Sequence, residues 1–121
     1  MRIGHFDTKE FESRDGKPSP FQYVVHIGLI DKLNEIREAF GKPILINCGY
    51  RSPEHNAAVG GVSNSQHLKG TAADIRPKDL SDLPRLEKIC ERLNPNGGVG
   101  LYNTFVHIDV RGSRARWNNK K

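Results

Sequence analysis

Apolar positions along this chain alternate between two periods, one helical and one extended. Val24, Ile27, Ile30, Leu33, Ile36 and Phe40 recur at three- and four-residue steps, the stripe of an amphipathic helix. Ser19-Pro20 supplies its start, and Gly41 followed by Pro43 its stop. Ile44-Leu45-Ile46 is a short buried strand, and Cys48-Gly49-Tyr50-Arg51 turns out of it. Ser52-Pro53 opens a second, short helix that ends near Gly60-Gly61. Residues 62–70 read as a loop and residues 71–76 as a strand, with Ala73 and Ile75 on one face and Ala72, Asp74 and Arg76 on the other. Ser81 is the expected cap of a further helix carrying Leu83, Leu86, Ile89, Cys90 and Leu93, broken by Asn94-Pro95-Asn96-Gly97-Gly98. Residues 98–102 and 104–110 form a hairpin about Asn103. In its second strand Val106, Ile108 and Val110 share the core face, and Phe105, His107 and Asp109 share the other.

This order predicts an α+β fold, a small antiparallel sheet with helices packed on one side. The 121 residues are enough for a single domain with one core. Residues 1–18 read as a loop-like segment pinned by Phe6 and Phe11, and residues 112–121 as a solvated basic tail. The apolar runs are too short to span a membrane, and the N-terminus lacks the apolar stretch of a signal peptide. Synthesis in a cytosol is therefore expected, with release by lysis or another export route needed to reach an outside target.

The formal net charge of +5 favours anionic partners. No aromatic RNA-binding signature or helix-turn-helix pattern accompanies it, so no nucleic-acid partner is expected. Cys48 and Cys90 do not make a disulfide framework. They read as reduced core thiols, poor metal ligands for want of a second cysteine nearby.

The chemistry concentrates in Ser65-Gln66-His67-Leu68-Lys69-Gly70-Thr71-Ala72-Ala73-Asp74 and in His107. Two imidazoles and a carboxylate can hold a catalytic Zn²⁺ with a position left open for water. Such a metal polarises a carbonyl and acidifies water, and a neighbouring group must carry the proton. Asp109, on the face of His107, is the candidate base. It is equally suited to orient a ligand histidine, or to serve as a ligand itself with His107 carrying the proton. Arg51 is the candidate anion contact, because a guanidinium matches a carboxylate bidentately. His5, His26 and His55 lack such company.

These residues resemble a known family. Ser65-x-His67-x-x-Gly70-x-Ala72-x-Asp74 with a downstream strand histidine is similar to the zinc D-alanyl-D-alanine carboxypeptidases and peptidoglycan endopeptidases, which share their fold with the Hedgehog signalling domain. The likeness extends through Phe40-Gly41-Lys42-Pro43, Gly49-Tyr50-Arg51-Ser52-Pro53, Asn56, Val59-Gly60-Gly61-Val62 and Gly97-Gly98-Val99-Gly100-Leu101-Tyr102, covering about residues 21–117. It implies one Zn²⁺ held by His67, Asp74 and His107, Arg51 facing the substrate, and Ser65 on the substrate-binding edge. The implied substrate is a peptidoglycan peptide, cleaved at an amide bond by a monomer, and a phage or prophage lysis enzyme fits the size and charge. Many members carry Glu three residues before the second histidine, where this chain has Thr104. Two rival expectations stand beside this one: a zinc-holding module that grips the wall or a protein without cleaving it, and a virion-associated component that opens the wall locally.

Overall fold

In the computed structural model, residues 1–17, 25–61 and 65–121 are described. The predicted helix start at Ser19-Pro20, its apolar position Val24, and Val62 of the motif lie outside them. Helix α1 (Ile27–Phe40) is capped by His26, whose Nδ1 accepts from the Gly28 N–H at 3.0 Å. His26 is thus the end cap of this helix. Leu29, Ile30, Leu33, Ile36 and Phe40 are buried, while Ile27, expected on the same stripe, is 45% exposed in the first turn.

Five strands form the main sheet in the order β3-β4-β6-β5-β7: β3 (Ile44–Cys48), β4 (Ala72–Pro77), β5 (Gly98–Leu101), β6 (Val106–Asp109) and β7 (Ala115–Asn118). The alternation in β4 and β6 is as predicted. Ala73, Ile75, Val106 and Ile108 face α1 and α3 (Leu83–Leu93) in one apolar core, leaving Asp74, His107 and Asp109 on the opposite face. Full burial of each large apolar side chain in that core contributes about 1.5–3 kcal/mol.

Four expectations are corrected. The sheet is mixed rather than antiparallel throughout, because β7 pairs with β5 in parallel. The chain leaves β6 and passes around the start of β5, so β7 reaches the far side of β5 running against β6. Residues 115–118 of the expected solvated tail are therefore a sheet edge, and Arg116 there is spent on Glu91 at 2.6 Å and on the carbonyls of Gly97 and Asn94.

The N-terminal segment is not loop throughout. It forms a hairpin, β1 (Arg2–Ile3) with β2 (Phe6–Asp7), followed by a 3₁₀ turn over Thr8–Phe11 closed by a reciprocal Asp7–Glu10 capping box. Phe6 and Phe11 do pin it to the core, at 1% and 0% exposure. Finally, Ser81 does not cap α3. It sits in a 3₁₀ turn over Leu80–Asp82, where Asp79 accepts from its N–H and hydroxyl at 3.0 and 2.8 Å. The short helix α2 (Pro53–Ala58) is capped by Ser52 as its sequence suggests.

Candidate metal centre

Strand register assembles most of the site. Cys48 partners Asp74, Asp74 partners His107, and His107 partners Gly100. Cross-strand partners project from the same face, so this row runs across the side of the sheet opposite α1 and α3. His67 arrives from a 3₁₀ turn, Gln66–Lys69, whose cap Ser65 accepts the His67 N–H at 3.2 Å. The His67 Nδ1–H donates to the Gly49 carbonyl at 2.7 Å, which aims Nε2 at the sheet.

There, His67 Nε2 lies 3.4 Å and His107 Nδ1 3.2 Å from the same oxygen, Asp74 Oδ1. All three side chains are buried, and all line a cavity of about 570 Å³ together with Arg51, Ser65 and Trp117. Arg51 lies at the rim of the cluster. Its Nη2 is 3.7 Å from Asp74 Oδ2, Nη1 donates to Asn56 Oδ1 at 3.0 Å, and Nε points at Cys48 Sγ at 3.3 Å. The structure thus brings together His67, Asp74, His107, Arg51 and Ser65.

Asp109 stands behind His107 rather than in the cavity wall. It has no exposed surface. Oδ2 accepts from His107 Nε2 at 2.7 Å and from Arg111 Nη2 at 2.8 Å. Oδ1 accepts from Arg111 Nε at 2.8 Å, Arg111 N at 3.1 Å and Gly98 N at 3.0 Å. Burial pushes its carboxyl pKa up, but the bonds from His107 and Arg111 outweigh burial and hold it below the usual carboxylate range. Among the described residues lining the cavity, Asp74 is the sole carboxylate.

The donor set fits a divalent metal. Two imidazole nitrogens converge on one carboxylate oxygen, and the remaining nitrogen of each ring is fixed by an oxygen acceptor at 2.7 Å. That is how ligand histidines are oriented at metal sites. The charges agree. Burial opposes charge on His67, but Asp74 and Cys48 beside it raise its pKa to about 9. Burial likewise opposes charge on Asp74, and the bonds from His107 and His67 overcome it, keeping the carboxyl ionised. The Asp74 carboxylate thus favours positive charge at the nitrogens facing it, which suits a bound cation.

Three neighbours were not foreseen in these positions. Cys48, read as a core thiol, is half-buried at the site, and one donor atom each from Cys48, His67 and Asp74 lie within 4.8 Å of one another. Burial raises the Cys48 pKa, but His67 and Arg51 together bring it below the usual thiol value. Arg111 grips Asp109, and Trp117 packs against His107 with ring centroids 4.9 Å apart. Alternation of Ala115 and Trp117 with charged Arg116 is the signal that could have revealed β7. Cys90 is the core thiol expected, fully buried.

The chain is similar to known proteins over much of its length. Over 83 residues, 64% of this chain, it is 53% identical to the zinc D-Ala-D-Ala carboxypeptidase of Streptomyces albus G. Over 74 residues, 55% of this chain, it is 41% identical to the probable peptidoglycan L,D-endopeptidase MepK of Haemophilus influenzae. The matched segments span only 32% and 39% of those proteins. The family profile for peptidase M15 matches residues 5–109, a stretch that holds His67, Asp74, His107, Arg51 and Asp109 alike, and the chain belongs to that family.

Proposed function

We propose that this chain is a zinc-dependent peptidase that hydrolyses amide bonds in peptidoglycan peptides. The observation that carries the reading is the convergence of His67 Nε2 and His107 Nδ1 on Asp74 Oδ1 at the floor of an open cavity. His67, Asp74 and His107 would hold the ion. The chemistry a bound Zn²⁺ supplies is polarisation of a scissile carbonyl and acidification of a water molecule. One relative is named for peptidoglycan and the other for D-Ala-D-Ala, which supports a wall-peptide substrate, and the net charge of +5 suits an anionic polymer.

The chain's own residues set the rest. Arg51 is held from one side by Asn56 and offers its guanidinium edge to the cavity, where it binds a substrate carboxylate or a developing oxyanion. Ser65 lines the cavity two residues before His67 and contributes to substrate binding there. Of the roles open to Asp109, its enclosure by Arg111, Gly98 and His107 favours orienting His107 over collecting a proton from the cavity. A carboxylate so fully engaged is a weak base. Digestion of purified peptidoglycan, read by mass spectrometry of the released peptides, tests the reading. Cleavage that stops with chelator, returns with Zn²⁺ and is absent in His67→Ala supports it; no cleavage by the zinc-loaded chain contradicts it.

The engagement of Asp109, with Thr104 in the place of a family glutamate, also favours a second reading, a zinc-holding module that binds wall peptides without cutting them. Binding of peptidoglycan fragments without turnover would select it.

A further inference from the structure

The lateral row that builds the metal centre continues one strand further. His107 partners Gly100 on β5, and Gly100 partners Trp117 on β7. With no side chain between them, the imidazole and the indole meet across a bare glycine, their planes at 48°. The gap is fully used: a Cβ on Gly100 would lie 2.3 Å from indole Cε2 and Nε1. The indole is itself fixed. Nε1 donates to the Tyr102 hydroxyl at 3.0 Å, and the Arg111 guanidinium lies over the ring at 5.5 Å. That same guanidinium holds Asp109. His107 is therefore braced at Nε2 by Asp109 and at its ring by the tilted indole of Trp117, and Arg111 ties the two braces together.

We propose that Trp117 is a positioning residue of the metal centre, which sets the plane of the His107 ring so that Nδ1 meets Asp74. The second side-chain torsion of histidine is broad and soft. A hydrogen bond at Nε2 fixes where that atom lies but leaves the ring plane loosely held. An indole packed against the imidazole at 4.9 Å, tilted by 48°, restricts that freedom. β7 thereby becomes part of the functional unit, although it lies beyond residues 5–109 that match the family. The proposal rests on the zinc reading of His107 given above.

The test is the Zn²⁺ dissociation constant of the full chain, measured by competition with a chromogenic chelator. Loss of a residue that orients a metal ligand weakens metal binding by about 10–100-fold, and Trp117→Leu is expected in that range. Trp117→Phe, which keeps an aromatic face, recovers most of the affinity. Arg116→Ala removes the Glu91 ion pair from the same strand and leaves affinity unchanged, which separates the ring contact from general loosening of β7. A wild-type chain without zinc affinity contradicts the zinc reading itself. A wild-type chain that binds zinc, with a folded Trp117→Leu variant binding it equally well, overturns the positioning role alone. If the leucine variant does not fold, nuclear Overhauser contacts between the His107 and Trp117 rings in the zinc-loaded wild type decide. Their persistence supports the proposal, and their absence overturns it.

Discussion

Asp109 and His107 form a buried pair at 2.7 Å in which the carboxylate is more tightly held than the imidazole. Arg111 and two backbone N–H groups fix Asp109. This arrangement makes Asp109 a rigid acceptor for His107 Nε2. Replacing it with alanine is expected to weaken zinc binding by about 10–100-fold, read by chelator competition. A variant that keeps wild-type zinc affinity and loses only turnover would instead identify Asp109 as the base.

Gly98 lies against that carboxylate. A Cβ there would fall 2.2 Å from Asp109 Oδ2, with β5 and β6 fixed on either side. Gly98→Ala is therefore expected to cost about 1–3 kcal/mol of stability by overpacking, measured by urea unfolding. An unchanged unfolding midpoint would mean that the Asp109 pocket yields more easily than its packing implies.

Arg51 has a planar guanidinium aimed into the cavity from a turn fixed by the Arg51 N–H to His67 carbonyl bond at 3.0 Å. Lysine keeps the charge but loses the fork. A hydrogen bond to a charged group contributes about 1.5–3 kcal/mol, so Arg51→Lys should lower kcat/KM on wall peptides by about ten- to hundredfold. Wild-type kinetics in that variant would remove Arg51 from substrate binding.

Asp15 ties the N-terminal segment to the turn that carries Arg51. It accepts from Ser52 Oγ and, at 2.7 Å, from Ser13 Oγ. The Ser52 bond is the main cause that pulls its pKa from 3.8 down to about 2. A depressed carboxyl stabilises the fold fully above its unfolded pKa and loses that contribution as pH falls through the folded one. Stability should thus decline between about pH 4 and pH 2, and Asp15→Asn should flatten that part of the curve. Equal slopes in wild type and variant, followed by denaturant midpoints across pH, would show that the anchor is inactive.

Most of the site is legible in the sequence because it follows strand alternation. Period two puts Asp74 on the side opposite Ala73 and Ile75, and His107 with Asp109 opposite Val106 and Ile108, before any pairing is known. Cys48 is not legible that way. Alternation from Ile44 and Ile46 sends it to the core, but the β3–β4 register shifts between Ile46 and Cys48. Ile46 partners the core residue Ile75, Cys48 partners Asp74, and the irregularity turns the thiol to the site face. Trp117 fails for a different reason. Its neighbours Arg114, Arg116, Lys120 and Lys121 carry the charge of a solvated tail, and what holds the strand is remote: Glu91 for Arg116, Glu87 for Lys120 and the space left by Gly100.

Whether His67, Asp74 and His107 together hold one zinc ion is decided by X-ray absorption of the zinc-loaded chain. One ion per chain is expected, with nitrogen and oxygen neighbours at about 2.0–2.2 Å that are lost in His107→Ala. A sulfur neighbour at about 2.3 Å would place Cys48 in the ligand set, and failure to bind stoichiometric zinc would rule out a zinc centre built from these three residues.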